Sequence, residues 1–330
     1  MTVGVVGGGS WGTALGIHLA RAGAPVRLWA REPEVVDGIA RERRNPWYLK
    51  DAPMPRGLEA TGDLGDLGRD VDLVLVAVPS EFVAATLAAL RIPGGVPVVS
   101  ATKGFDPARH VRMTELILER FPAAPVAALS GPTFAREVAV GLPTAAVVAS
   151  PDETLAESLQ RRLGTREFRL YTNRDVAGVE TGGALKNVIA IATGLADGLG
   201  LGENARAALI TRGLVEITRL AVALGGTPRT LAGLAGLGDL VLTCTGAQSR
   251  NHTLGMELAK GNTLTAWEQS TRMIAEGVRT ARSADALAKR HGVSLPITRE
   301  IAAVLFEDKP AREALAALLD RPMAREDRDA

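Results

Sequence analysis

A single cysteine, Cys244, serves the whole chain of 330 residues, which excludes a disulfide within it. Its Leu-Thr-Cys-Thr setting has no neighbouring histidine base, so Cys244 is expected to be buried and inert. Four histidines (His18, His110, His252 and His291) are too scattered for metal-ligand spacing, and no metal is expected. No apolar run approaches the roughly 18 residues of a membrane span. Charge of one sign is missing too: the formal net charge is +1, which offers nucleic acid or an acidic membrane no electrostatic footprint. The N-terminus, Met-Thr-Val-Gly-Val-Val, enters a strand pattern at once without a charged leader, so no signal peptide is expected and a cytoplasmic location follows. Internal repeats are absent.

What is present is a globular composition, 46% hydrophobic and 23% charged, in a chain long enough for two domains. Val3–Val6 reads as a strand, Gly7-Gly-Gly9-Ser-Trp-Gly12 follows, and a helix runs from Thr13 to Ala22. A G-x-G-x-x-G set between strand and helix is a dinucleotide cradle. Gly7 permits the tight turn, Gly9 lets backbone approach a pyrophosphate, and Gly12 lets helix pack on sheet. The second strand, Val26–Trp29, leads to Ala30-Arg31-Glu32, where NAD-binding folds often carry an acidic residue for the ribose. Arg31 suits a 2′-phosphate and favours NADP(H), while Glu32 keeps NAD(H) possible; the alternative is that Arg31 only opens a helix surface. Residues 45–57 form a proline-rich loop with Trp47 and Tyr48 as packing anchors.

Further apolar strands are expected over 72–78, 96–101, 126–129, 144–149 and 168–171, with helices from Glu81, from Phe134 and over 152–163. This alternation predicts a doubly wound parallel sheet, a Rossmann-type domain over 1–174. Lys103 falls just past a strand's carboxyl end, where such sheets bind ligands, although a loop lysine can also simply face solvent. Ser130-Gly131-Pro132-Thr133 is a second strand end feeding a helix N-terminus. After Asn173 the strand pattern stops, and 175–198, 204–224, 251–260, 266–277, 279–291, 296–306 and 310–320 read as helices. The second domain, 175–330, is therefore expected to be all-α, with Gly225, Gly226, Gly261 and Gly292 closing helices and a frayed tail from about Arg325.

Within its first helix, Val179, Gly182, Gly183, Lys186, Ala190 and Thr193 share a stripe. Two helical glycines cost about 1 kcal/mol each, so close approach of a ligand or another backbone should offset them. Lys186 opening onto that clearing is either a proton donor and acceptor or a surface lysine beside a packing contact. Asp239 lies in an apolar stretch, where a carboxylate needs a cationic partner, Lys186 being a candidate, unless it is a helix cap. Ser249-Arg250-Asn251 opens a helix as a possible phosphate cradle, or as plain capping by Ser249.

In register along the chain stand Gly-Gly-Gly-Ser-Trp-Gly-Thr-Ala, Ala-Thr-Lys-Gly, Ser-Gly-Pro-Thr-Phe-Ala, Glu-Thr-Gly-Gly-Ala-Leu-Lys-Asn-Val, Gly-Leu-Gly-Asp-Leu-Val-Leu-Thr-Cys and Ser-Arg-Asn. With these motifs the chain resembles, over essentially its whole length, the bacterial NAD(P)-dependent sn-glycerol-3-phosphate dehydrogenases. The resemblance implies a Rossmann-type sheet followed by an all-helical domain, a plan like that of 6-phosphogluconate dehydrogenase, in a homodimer. It implies that Ser10, Trp11, Arg31, Ala135, Ile274 and Glu276 serve the dinucleotide, and that Lys186 is the catalytic acid and base. Lys103, Gly131, Thr133, Asp239, Ser249, Arg250 and Asn251 would contact substrate, with Lys103 and Arg250 also reaching the cofactor. Thr133 stands where serine is also used, and Lys50-Asp51 replaces a frequent Pro-Gly, which touches only that loop's conformation.

The implied reaction is reversible reduction of dihydroxyacetone phosphate to glycerol 3-phosphate, feeding phospholipid synthesis. Lys186 would protonate the developing alkoxide, with burial and Lys103 lowering its pKa and Asp239 raising it. Two other readings share the two-domain plan: a dehydrogenase of a hydroxy or keto acid, and a non-catalytic dinucleotide sensor.

Overall fold

The computed structural model describes residues 1–321, and the tail expected from Arg325 lies outside the described residues. The described chain divides into two compact units, 1–102 with 113–176, and 103–112 with the residues from 177 onward.

The first unit is built on one sheet of eight strands: β1 (Val3–Val6), β2 (Val26–Trp29), β3 (Leu58–Thr61), β4 (Leu73–Val76), β5 (Val98–Ser100), β6 (Val126–Ser130), β7 (Thr144–Ala149) and β8 (Phe168–Asn173). Seven α-helices accompany it: α1 (Ser10–Arg21), α2 (Pro33–Asp37), which runs on into a π-helical turn over Gly38–Glu42, α3 (Leu64–Leu67), α4 (Ser80–Ala89), α5 (Met113–Arg120), α6 (Ala135–Val140) and α7 (Glu153–Leu163). The strand order is β3-β2-β1-β4-β5-β6-β7-β8, reversing at β1 and β4 as a doubly wound sheet must. Strands β1 and β4 are buried along their whole length, the signature of a sheet covered on both faces. Helix α1 is buried from Gly12 to Ala20, and α6 packs on it. Helix α7 shows how the outer elements form. Asp152 caps it, accepting from the N–H groups of Thr154 (2.9 Å) and Leu155 (3.2 Å), and Arg161 and Arg162 lie at its negative end.

Two features depart from the expected sheet. β6 and β7 pair antiparallel, all other neighbours parallel. The short α6 between them packs on α1 instead of carrying the chain back across the sheet, so β7 enters from the opposite end. The edge strand β3 is additional; only Leu58 of its four residues is buried, which leaves no apolar pattern to read. Trp47 and Tyr48 do pack against the core beneath the 45–57 loop.

The second unit is helical: α8 (Val176–Gly198), α9 (Gly202–Ala223), α10 (Pro228–Leu231), α11 (Asp239–Thr245), α12 (Arg250–Ala259), α13 (Leu264–Ser270), α14 (Glu276–His291), α15 (Pro296–Phe306) and α16 (Ala311–Leu319). Helix α8 is buried from Ala177 to Ala196 and forms the axis of a separate core with Ile217, Leu240, Leu254, Val278 and Ile301. Gly194 and Gly255 let α8 and α12 touch backbone to backbone: a Cβ on Gly194 would lie 2.1 Å from the His252 carbonyl. Gly225, Gly261 and Gly292 adopt positive φ past helix ends, as expected of them. The expected helices 266–277 and 279–291 are drawn differently. α13 stops at Ser270, and α14 starts at Glu276 because the side chain of Asn251 accepts the Gly277 N–H (2.9 Å).

Candidate active site

In the first unit the glycine turn is as tight as its sequence requires. Gly7 has φ +129°, and a Cβ there would lie 2.7 Å from the Ala77 carbonyl oxygen. A Cβ on Gly12 would lie 1.9 Å from the Gly7 carbonyl, so α1 can reach the sheet only through glycine. Gly9 is different. No protein atom within 4 Å would meet its Cβ, so nothing in the chain itself needs a glycine there. No side chain caps α1, whose first N–H groups lie beside this opening. The Ser10 hydroxyl donates to the Tyr48 carbonyl (3.0 Å) and the Trp11 indole N–H to the Ala101 carbonyl (3.1 Å), fixing both residues on the turn. Arg31, at the end of β2, is exposed; it pairs with Glu32 at 3.0 Å and lies 5.5 Å from the ring centre of Phe82.

Gly131 and Thr133 follow β6, and Ala135 opens α6. Gly131 has φ +141°, and its missing Cβ gives room to Ala146 of β7, 2.9 Å away; the Thr133 hydroxyl donates back to the Gly131 carbonyl (3.1 Å). Among the described residues, the buried hydroxyls of Ser100 and Ser130 have no hydrogen-bond partner. Each ends its strand at the carboxyl edge of the sheet.

The second unit answers the question raised by its glycines. Gly182 clears space for backbone: a Cβ there would lie 2.6 Å from the carbonyl of Ala235, in a π-helical turn over Leu234–Gly238. That turn runs directly into Asp239, the first residue of α11. The absence of a side chain on α8 therefore lets α11 start close to Lys186, one turn further along. Asp239 is fully buried and caps nothing; its carboxylate accepts from Lys186 through Oδ1 and from Lys103 through Oδ2 (2.5 Å). Three charges thus share one buried cluster, and the cationic partner expected for Asp239 is two lysines. Lys186 also donates to the Thr243 hydroxyl (2.7 Å), which donates in turn to the Asp239 carbonyl (2.6 Å). Thr243 was not legible as part of the cluster from its own type, but its spacing of four from Asp239 on one helix face was an available signal.

Burial pushes Lys186 down from the ordinary lysine range to about 7; Asp239 opposes the shift and Lys103 adds to it. Cys244 is buried, and burial pushes its thiol up to about 12, the inert cysteine expected.

At the head of α12, Ser249 caps the helix, its hydroxyl accepting from His252 N–H (3.2 Å), so the capping role is real. Arg250 is exposed at the first helical position. Asn251 is buried; one amide N–H goes to Asn187 (2.9 Å) and its oxygen accepts from Gly277 (2.9 Å), leaving its second N–H. Asn187 follows Lys186 directly, and Gly277 follows Glu276. Ile274 precedes α14 and Glu276 opens it, within electrostatic reach of Arg250. Lys103, Lys186, Asp239, Ser249, Arg250, Asn251, Ile274 and Glu276 thus all belong to the second unit, while Gly7, Gly9, Ser10, Trp11, Gly12, Arg31, Gly131, Thr133 and Ala135 belong to the first.

Family models described as the NAD-dependent glycerol-3-phosphate dehydrogenase N-terminus and C-terminus match residues 2–156 and 175–316. The chain belongs to the NAD-dependent glycerol-3-phosphate dehydrogenase family. It is 50% identical to a glycerol-3-phosphate dehydrogenase (NAD(P)+) of Rhodospirillum rubrum, over 97% of this chain and 93% of that protein. Its identity to the like-named Streptomyces coelicolor protein is 49%, over 96% of each. The crystal structure of glycerol-3-phosphate dehydrogenase from Coxiella burnetii superposes with a TM-score of 0.92 at 40% identity, covering 97% of this chain and 99% of that one. A ketopantoate reductase from Ralstonia eutropha shares the fold alone, with a TM-score of 0.61 and 18% identity over 96% of this chain and all of that one.

Proposed function

We propose that the chain catalyses the reversible NAD(P)H-dependent reduction of dihydroxyacetone phosphate to sn-glycerol 3-phosphate. Beside family membership, the observation that carries this reading is the buried Lys186–Asp239–Lys103 cluster, with Lys186 held near neutral pKa. In this reading residues 1–174 bind the dinucleotide and 175–330 form the substrate and catalytic domain.

The first unit suits a dinucleotide on its own geometry. Gly9 opens a space that a side chain would fill, α1 offers uncapped N–H groups to a pyrophosphate, and the Ser100 and Ser130 hydroxyls lack protein partners among the described residues. Gly7, Gly9, Ser10, Trp11 and Gly12 would hold it by backbone, with Ala135, Ile274 and Glu276 as further contacts. Arg31, exposed at the end of β2, would meet a 2′-phosphate, so NADP(H) is preferred and NAD(H) accepted. When bound, the nicotinamide supplies the hydride.

The chain's own residues handle orientation and the proton. An ammonium has three N–H donors; Asp239 and Thr243 take two at Lys186, and the third would serve a substrate carbonyl oxygen. A pKa near 7 lets Lys186 donate in reduction and accept in oxidation. Arg250 and the N-terminus of α12, with Lys103, Gly131, Thr133, Ser249 and the second N–H of Asn251, would hold the phosphate and hydroxyl groups. The product would feed glycerophospholipid synthesis in the cytoplasm, from a homodimeric enzyme. The test follows nicotinamide absorbance with dihydroxyacetone phosphate for wild type and Lys186→Ala. Turnover in wild type and its loss by orders of magnitude in the variant is expected. Equal rates would remove Lys186 from the mechanism, and activity only on unphosphorylated keto acids would replace the substrate.

A further inference from the structure

The segment Lys103–Arg112 lies in sequence between two parts of the dinucleotide-binding unit, yet it belongs structurally to the helical one. The changeover is abrupt. The Thr102 hydroxyl is bonded in the first unit, donating towards the carbonyls of Val78 (2.8 Å) and Val76 (3.3 Å). Lys103, the next residue, is paired with Asp239 at 2.5 Å in the second.

Three contacts hold the segment there. Phe105 is 1% exposed and packs within the helical core. Asp106 shapes the loop, accepting the N–H groups of Ala108 (3.2 Å) and Arg109 (2.7 Å), and residues Phe105 and Arg112 close it as an antiparallel bridge. At its tip His110 adopts φ +58°, a conformation unusual for a residue with a side chain. That backbone aims the imidazole at α14, where Nδ1 meets the hydroxyl of Ser283 at 3.1 Å. Ser283 is fully buried, so its hydroxyl has every reason to keep this partner. Burial, helped by Arg290, holds His110 below the usual imidazole range against the opposing Asp106, so its ring is neutral at pH 7.

We propose that His110 and Ser283 are positioning residues that latch the 103–112 loop to α14 and so fix Lys103 on Asp239, making the substrate lysine a rigid member of the catalytic cluster. The strained tip is explained by this role: φ +58° is maintained where the loop gains a long-range bond. The inference rests on the proposed function for its kinetic readout only, since Lys103 is there taken as a substrate contact.

The test uses the full chain with Ser283→Ala, which removes one oxygen from a buried site without altering shape, and His110→Phe, which keeps an aromatic ring at the loop tip but has no nitrogen to meet Ser283. Each variant should raise KM for dihydroxyacetone phosphate about fivefold, the loss of one buried hydrogen bond, with KM for NADPH unchanged. The double variant should be no worse than the poorer single one. Amide hydrogen exchange over residues 104–112, measured without ligands, should quicken in both, whatever the wild type turns over. That arm separates the two ideas: a wild type inactive on dihydroxyacetone phosphate overturns the proposed function, while unchanged exchange in both variants overturns the latch. A uniform loss against both substrates, or additive losses in the double variant, also overturns it.

Discussion

If the three charges of the cluster set the proton affinity of Lys186, then removing each of its neighbours must move that affinity in opposite directions. Asp239→Asn keeps shape and removes the favourable charge; Lys103→Met keeps the stem and removes the unfavourable one. Contacting opposite charges about 3 Å apart at an effective dielectric of about 20 interact by roughly 5 kcal/mol, and opposite charges at such range move pKa values by about 1–3 units in practice. Asp239→Asn should therefore lower the Lys186 pKa by about that much from its value near 7. The two ammonium groups sit on different oxygens of one carboxylate and repel each other, which lowers the Lys186 pKa. Lys103 is 15% exposed and partly screened, so its removal should raise the pKa by about one unit.

The sign in the assay follows from the direction of transfer. Reduction needs the ammonium, so kcat/KM for dihydroxyacetone phosphate should fall as pH rises through the Lys186 pKa. Oxidation of glycerol 3-phosphate needs the amine and should rise through the same region. Both variants will be slower, but what matters is the inflection, which moves to lower pH in Asp239→Asn and to higher pH in Lys103→Met. Substrate phosphate ionisation is common to all three proteins and cancels in the comparison. Inflections that stay together, or move the same way, would refute the account of the cluster given above.

Gly9→Ala and Gly12→Ala should separate ligand space from packing space. The first should keep the melting temperature within about a degree while weakening NADPH binding at least about tenfold, because a Cβ there meets only the opening. The second should lower the melting temperature by several degrees, since its Cβ meets the Gly7 carbonyl and overpacking costs about 1–3 kcal/mol. Gly182→Ala should also destabilise, despite the helix propensity gained, and should cut turnover by pushing the Leu234–Gly238 turn and Asp239 away; full activity would show that Lys186 does not depend on this approach. Glu216 of α9 is 2% exposed, takes the N–H groups of Ile297 and Thr298 (3.0 Å) at the start of α15, and is pushed up by burial to about 7. A carboxyl raised above its unfolded value stabilises fully below about pH 4.5 and loses that contribution, about 3 kcal/mol, as pH rises through 7. The melting temperature of wild type should therefore fall between pH 5 and 8 more steeply than that of Glu216→Gln; parallel curves would show that Glu216 does not titrate there.

How much of this was legible beforehand depended on where the physical cause of each feature lies along the chain. The glycine turn could be read because strand, turn and helix are contiguous and each glycine answers a local steric demand. The charged partner of Asp239 could be anticipated because a carboxylate in Leu-Gly-Asp-Leu-Val-Leu cannot be buried alone, whatever the fold. That the glycine at 182 makes room for backbone and not ligand could not, because the π-helical turn it faces lies some fifty residues later and has no sequence signature of its own. The start of α14 was misplaced for a similar reason: the group that takes the Gly277 N–H is Asn251, on another helix. The 103–112 loop shows the limit most sharply. Its first residue follows a buried strand and reads as part of the sheet, while the contact that assigns its tip to the helical unit joins residues 173 positions apart. Local pattern reports which groups must be satisfied, and only the assembled fold reports by whom. A lysine placed by sequence at the edge of a dinucleotide sheet is therefore better understood as the outermost member of a helical charge cluster, and its substitution should be read in the proton affinity of Lys186 before it is read in cofactor binding.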